Sequence, residues 1–335
     1  MMFESVAAFE ALLAGLPARD DAARDAALAR QGQLTKPPGS LGRLEEIAIF
    51  LAGWQGRERP AIERGRAIVF AGNHGVVARG VSAFPQAVTA QMVANFAAGG
   101  AAINALAGAA GLSLAVVPLD LDRPTVDFTT GAAMDEAECL AALNAGAGAI
   151  GDADLLVLGE MGIGNSTAAA ALCAASFGGD PRDWVGPGTG VDPDGLSRKA
   201  ETVAFGLAAH AGALTSPFEI LRRLGGREIA AIAGAIVAAR VARVPVVLDG
   251  FICSSAVAPL AAHHPAIVGH LIAGHCSAEP GHRRLLRRLR LDPLLSLGMR
   301  LGEGSGAAVA VTMIRAALAA HDRMATFAEA GVSAG

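Results

Sequence analysis

Apolar positions along the chain follow two rhythms. Near the start, Val6, Phe9, Leu12 and Leu13 recur at helical spacing, and the charge-rich stretch 20–30 predicts a second, more exposed helix. Two prolines and two glycines in Lys36-Pro37-Pro38-Gly39-Ser40-Leu41-Gly42 exclude regular helix there. A helix restarts at Arg43 and runs through Leu44, Ile47 and Leu51 to about Gly53. From Arg66 the rhythm changes to short unbroken apolar runs at 67–70, 114–117, 155–158, 245–248 and 268–272. Each ends near glycine or an acidic residue, and alanine-rich helical stretches lie between them. Unbroken hydrophobicity predicts strands buried on both faces, hence an α/β fold whose parallel sheet is covered by helices. The stretch 101–119 reads as helix, turn, strand, and 307–329 as a final helix returning to the N-terminal ones.

Composition narrows the function classes. The chain has 335 residues, 53% hydrophobic and 17% charged, enough apolar surface to offset the entropy of ordering. No membrane span is expected: the charge-free run 229–239 is too short and is followed by Arg240 and Arg243. A net charge of −4 offers no global field for nucleic acid, and the arginines at 283, 284, 287, 288 and 290 read as a solvated helix face. Cys139, Cys173, Cys253 and Cys276 form no CxxC pair and no signal peptide precedes them, so reduced thiols in a cytoplasmic protein are expected.

In parallel sheets ligands bind beyond the carboxyl ends of the strands, so chemistry is sought after each apolar run. After the first stand Asn73 and His74, polar groups among glycines. The third leads into Gly159-Glu160-Met161-Gly162-Ile163-Gly164-Asn165-Ser166-Thr167 and then a helix. Backbone N–H groups and the positive helix end make this an anion site, with Ser166 or Thr167 as cap. Its GxxGxG spacing fits neither GxGxxG nor the GxxxxGK[ST] P-loop, and the Glu160 carboxylate would repel a phosphate, so it is read as facing another part of a substrate. Gly186-Pro187-Gly188-Thr189-Gly190 is a second glycine loop, with Lys199, one of only two lysines, a little beyond.

Gly302-Glu303-Gly304-Ser305-Gly306 sets one carboxylate among glycines beside Leu301 and Met299. Partial burial there raises its pKa toward neutrality and suits a general base. No GxSxG elbow supports a serine nucleophile. The histidines at 263, 264, 270, 275 and 282, with Cys276, lack HExxH or paired CxxC spacing and are read mainly as core and surface residues rather than metal ligands.

Together, Lys36-Pro-Pro-Gly-Ser-Leu-Gly-Arg-Leu-Glu45, Gly159-Glu-Met-Gly-Ile-Gly-Asn-Ser-Thr167, Leu248-Asp-Gly-Phe251, Ser277-Ala-Glu279 and Arg300-Leu-Gly-Glu-Gly-Ser-Gly306 resemble the nicotinate-nucleotide–dimethylbenzimidazole phosphoribosyltransferase family of cobalamin lower-ligand synthesis. The resemblance runs from about residue 5 to 330 with the motifs in the same order. It implies a Rossmann-like parallel α/β domain over 59–285, a small helical domain formed by 1–58 with 286–335, and a homodimer. It implies transfer of phosphoribose from nicotinate mononucleotide to 5,6-dimethylbenzimidazole with inversion at the anomeric carbon. The family's catalytic base falls on Glu303 and its second glutamate on Glu160. The base pocket falls on Phe84, Met92, Met161 and Leu301, and the nucleotide phosphate near Gly186, Gly188, Thr189, Lys199 and Ser277. Asn73 departs from the aspartate expected in relatives, which leaves it hydrogen bonding rather than proton chemistry.

The residues agree with that chemistry. Nicotinate leaves a cationic pyridinium as a neutral pyridine and no pyrophosphate departs, so neither a general acid nor a magnesium cluster, and no cofactor, is called for. The attacking base must lose its N–H proton, work for one carboxylate. Two other readings are a dinucleotide-dependent oxidoreductase, disfavoured by the lack of GxGxxG with a following acid, and a non-catalytic nucleotide-binding protein, which would need no Glu303.

Overall fold

The computed structural model describes residues 2–188 and 190–333. Three helices open the chain: α1 (Val6–Ala14), α2 (Asp21–Gln33) and α3 (Arg43–Gln55). There follow β1 (Gly65–Ala71), α4 (Ala87–Ala97), α5 (Ala102–Ala109), β2 (Ser113–Pro118), α6 (Glu136–Ala149), β3 (Leu155–Met161) and α7 (Asn165–Phe177). Three more helices, α8 (Pro193–His210), α9 (Pro217–Leu224) and α10 (Arg227–Val241), precede β4 (Val246–Leu248). The chain then forms α11 (Phe251–Ser255), α12 (Val257–His263), β5 (Leu271–Ala273), α13 (Pro280–Leu289), α14 (Ser305–Arg323) and α15 (Phe327–Ala330).

All strand pairs are parallel and the sheet order is β2-β1-β3-β4-β5. The unbroken apolar runs are explained by alternation between two cores. Ile68, Phe70, Leu156, Leu158, Val246 and Leu248 face one core with residues of α6, α7, α10 and α12. Val69, Val157, Val247 and Ile272 face the other, with Ile47 and Leu51 of α3, Ile103 of α5 and Val311 and Ile314 of α14. Phe9 of α1 meets Phe218 of α9, and Arg30 of α2 donates to the carbonyls of His321 and Asp322 at the end of α14.

Three local expectations are corrected. The run 268–272 is not one strand: Pro265 opens a 3₁₀ turn, Pro265–His270, since its fixed φ and missing N–H suit a helical start. Pairing begins only at Leu271, opposite Val246. Glu160 lies inside β3 rather than in the loop after it, with Phe70↔Glu160 and Ala71↔Met161 still in register. At α7 the cap residue is Gly164 at φ 95°, not Ser166 or Thr167. The apolar stretch Ala87–Ala109 has the length and composition of a membrane helix but is broken at Gly99, φ +80°, into the separate helices α4 and α5.

Candidate active site

Strand order reverses between β1 and β3, and in open α/β sheets the crevice beyond that switch point receives ligands. A cleft open to solvent lies there. Its walls come from residues 81–83 after β1, residues 160–166 at the end of β3, Gly250 and Phe251 after β4, and His275 and Ser277 after β5. Pro187, Gly188, Lys199, Glu279, Arg300, Leu301 and Gly302 also line it.

Glu160 and Glu303 meet at one end. Both are buried, 6% and 5% exposed, and the Glu303 N–H donates to the Glu160 carbonyl at 3.3 Å. Burial first, then the nearby Glu228 and Asp249 carboxylates, pushes Glu160 up to about 8, against the Asn165 amide that donates to its Oε2 at 2.5 Å. Glu303 has φ +64° between Gly302 and Gly304, at +85° and +86°. Left-handed backbone at a glutamate is strained, and such strain is kept where surrounding structure enforces it. Here Asp249 enforces it: Oδ2 accepts from Gly304 N (3.1 Å) and Oδ1 from Ala307 N (3.0 Å), capping α14 from outside its own segment. The Glu303 carboxylate is turned toward the start of α5, where the Ile103 N–H holds its pKa down, but burial dominates and raises it. Among the described residues its Oε2 has no hydrogen-bond partner.

Elsewhere along the wall three ties hold the second glycine loop. Glu279 Oε1 accepts from Gly188 N at 2.9 Å, Arg300 donates to the Gly188 carbonyl at 2.8 Å, and Lys199 Nζ donates to the Gly186 carbonyl at 3.0 Å. Lys199 also donates to Ser166 Oγ at 2.9 Å, joining this loop to the start of α7. Burial lowers the Lys199 pKa and raises that of Glu279, each opposed by the other's charge.

Comparison with known proteins places this arrangement. The phosphoribosyltransferase family profile matches residues 16–332. A nicotinate-nucleotide–dimethylbenzimidazole phosphoribosyltransferase of Novosphingobium aromaticivorans is 70% identical over 334 residues, covering 99% of each chain. The protein of the same name from Cereibacter sphaeroides is 60% identical, also over 99% of both. The chain belongs to the nicotinate-nucleotide–dimethylbenzimidazole phosphoribosyltransferase family. A crystal structure of that enzyme from Thermus thermophilus superposes with a TM-score of 0.87 at 44% identity, covering 94% of this chain and 100% of that one. The fold is thus the family's parallel α/β fold, and the chain is a phosphoribosyltransferase.

Within this family member, Glu160, Met161, Gly188, Lys199, Ser277 and Leu301 line the cleft as a group. Gly186 sits behind the loop, close against the Glu279 carboxylate, and Glu303 stands behind Gly302. Phe84 and Met92 are not on the wall: Phe84 is 44% exposed just beyond Ala83, and Met92 packs partly buried against the core that holds α14. Thr189 lies outside the described residues. Asn73 donates to the Leu121 carbonyl at 2.9 Å, and the His74 Nε2 pairs with Glu228 Oε1 at 2.5 Å in full burial. Among the described residues no three His, Cys, Asp or Glu side chains converge to hold a metal ion. Sequence reasoning gave no site role to Asp249, Glu279 or Arg300, and read His275 with its neighbouring histidines as a core or surface residue. The first three lie in quoted motifs, which was the available signal; His275 carried none beyond its place after a strand.

Proposed function

We propose that this enzyme moves the 5-phosphoribosyl group from nicotinate mononucleotide to 5,6-dimethylbenzimidazole or a closely related base, in cobalamin lower-ligand synthesis. Glu303 takes the proton from the base's N–H while the other ring nitrogen bonds to the anomeric carbon. The C–N bond to nicotinate breaks and its electron pair returns to the pyridine ring, which leaves uncharged. Attack opposite the leaving group inverts that carbon. A neutral leaving group needs no acid and no metal, so removal of the base proton is the step the protein must serve, a contribution of roughly 10²- to 10⁴-fold. Holding the two flat rings on opposite faces of one carbon supplies much of the rest.

In this reading the apolar Met161 and Leu301 receive the base, which meets the Glu303 carboxyl past Gly302. By resemblance to the family, Phe84 and Met92 belong to the same base site. Glu160, pushed up to about 8, stays protonated at neutral pH and serves as a hydrogen-bond donor. The phosphate lies toward Gly186, Gly188, Thr189, Lys199 and Ser277. The enzyme acts as a cytoplasmic homodimer.

The observation that carries the proposal is Glu303 itself: a buried glutamate in left-handed backbone, with a raised pKa and one carboxylate oxygen left without a partner among the described residues. The test is incubation with nicotinate mononucleotide and a panel of benzimidazoles, azoles and phenols, with products read by mass. Formation of the benzimidazole riboside phosphate with release of nicotinate is expected; consumption of the nucleotide by water alone would overturn the assignment.

A further inference from the structure

Two histidines stand side by side beneath the cleft, ring centroids 6.1 Å apart, and the protein treats them differently. His282 is fully satisfied. Its Nδ1 accepts from the Ser277 N–H at 2.9 Å, which fixes the proton on Nε2, and Nε2–H then donates to Ser254 Oγ at 3.1 Å. Burial, with His275 adding to it, pushes the His282 pKa down to about 3, so this ring is neutral.

His275 lines the cleft, is 2% exposed, and among the described residues has no hydrogen-bond partner on either ring nitrogen. Its nearest polar neighbour is Asp249, whose Oδ1 lies 3.3 Å from Nε2 and already accepts from Ala307 N. Leaving a buried polar group unpaired is costly, and a side chain buried here without function would more economically be apolar. A carboxylate beside Nε2 favours the tautomer with its proton there, which leaves Nδ1 as an acceptor. Of the polar groups on a nucleotide, phosphate and nicotinate carboxylate only accept; the sugar hydroxyls donate. His275 also stands beside Ser277: a Cβ at Gly250 would lie 3.7 Å from His275 Nε2 and 3.8 Å from Ser277 Cβ. Gly250 and Ser277 both line the cleft, so this edge of the ring lies along its wall.

We infer that His275 is a substrate-contacting residue, whose free ring nitrogen accepts a hydrogen bond from a ribose hydroxyl of the phosphoribosyl donor. The inference rests on the proposed reaction and adds a residue that fixes the sugar while its anomeric carbon changes partner.

The experiment is a double-mutant cycle between protein and nucleotide. Wild type, His275→Ala, His275→Asn and His275→Gln are assayed with nicotinate mononucleotide and its 2′-deoxy and 3′-deoxy analogues. Wild type should lose roughly tenfold or more in kcat/KM with one deoxy analogue, the scale of one hydrogen bond. His275→Ala should lose about as much with the parent nucleotide and nothing further with that analogue. Asn, whose amide oxygen reaches the Nδ1 position, should recover more activity than Gln. Additive losses, or a wild-type enzyme indifferent to both hydroxyls, overturn the inference, and the second result needs no variant to fold. A loss that vanishes with nicotinate riboside instead assigns the phosphate to His275 and overturns the hydroxyl. If wild type does not turn over nicotinate mononucleotide at all, the proposed function fails first and separately.

Discussion

Gly159 of β3 and Glu303 touch through bare backbone: a Cβ on residue 159 would come within 2.5 Å of the Glu303 carbonyl carbon and oxygen. Only glycine lets the sheet approach the loop this closely. Gly159→Ala should therefore push the loop outward, with a fall in kcat of at least about tenfold and a stability loss of about 1–3 kcal/mol. Gly148→Ala, where a Cβ meets nothing within 4 Å, is the control: it should leave kcat unchanged and, lying within α6, raise stability by up to about 1 kcal/mol. Steady-state kinetics and thermal melts of the two variants decide the matter, and equal behaviour would mean the contact is unimportant.

Replacing the carboxyl itself isolates the chemistry. Glu303→Gln keeps shape and the Ile103 contact but accepts no proton. It should lower kcat by roughly 10²- to 10⁴-fold. Nicotinate mononucleotide affinity, measured by calorimetry, should stay within a few-fold of wild type. A near-native rate would remove Glu303 from the mechanism.

The same residue should set the acid side of the pH profile. A general base works only when ionised, so activity rises with pH through its pKa. Burial lifts Glu303 above the usual carboxylate value of 4.5. The lower limb of kcat/KM for the base should therefore lie above pH 4.5 in wild type. A limb at or below the ordinary carboxylate range would contradict the buried environment.

Much of this was legible in the chain and some was not. The runs 67–70, 114–117, 155–158 and 245–248 mark four strands because residues buried on both faces must all be apolar. Glu303 was visible because a lone acid among glycines has few structural duties. The run 268–272 misled because apolar content alone does not separate a 3₁₀ turn from a strand when proline precedes it. Asp249 was hidden for a different reason: its partner Gly304 lies 55 positions away, and caps are sought among neighbours. Phe84 and Met92 followed from resemblance, and in this structure neither touches the cleft.

Asp249→Asn tests that remote cap. The amide keeps one oxygen acceptor and turns N–H groups toward the Gly304 or Ala307 donor, so one backbone N–H goes unpaired in full burial. A loss of about 1–3 kcal/mol is expected in chemical denaturation. Because the freed loop carries Glu303, kcat should fall more than nucleotide affinity does. Unchanged denaturation midpoints would show that the loop is held by other contacts.

Glu160 offers a reading that needs no substrate. Its carboxyl titrates near 4.5 when exposed and is pushed up to about 8 in the fold, chiefly by burial. Between those values the folded protein binds a proton that the unfolded chain has lost, so stability falls as pH rises through that window. At about 1.4 kcal/mol for each pKa unit, the loss amounts to a few kcal/mol by pH 8. Gln carries the protonated shape permanently, so Glu160→Gln should match wild type near pH 4.5 and exceed it increasingly toward pH 8. Melting temperatures of both proteins across that range provide the check. Parallel curves would mean that Glu160 ionises in the fold as it does in water, and its role as a neutral donor would go with it.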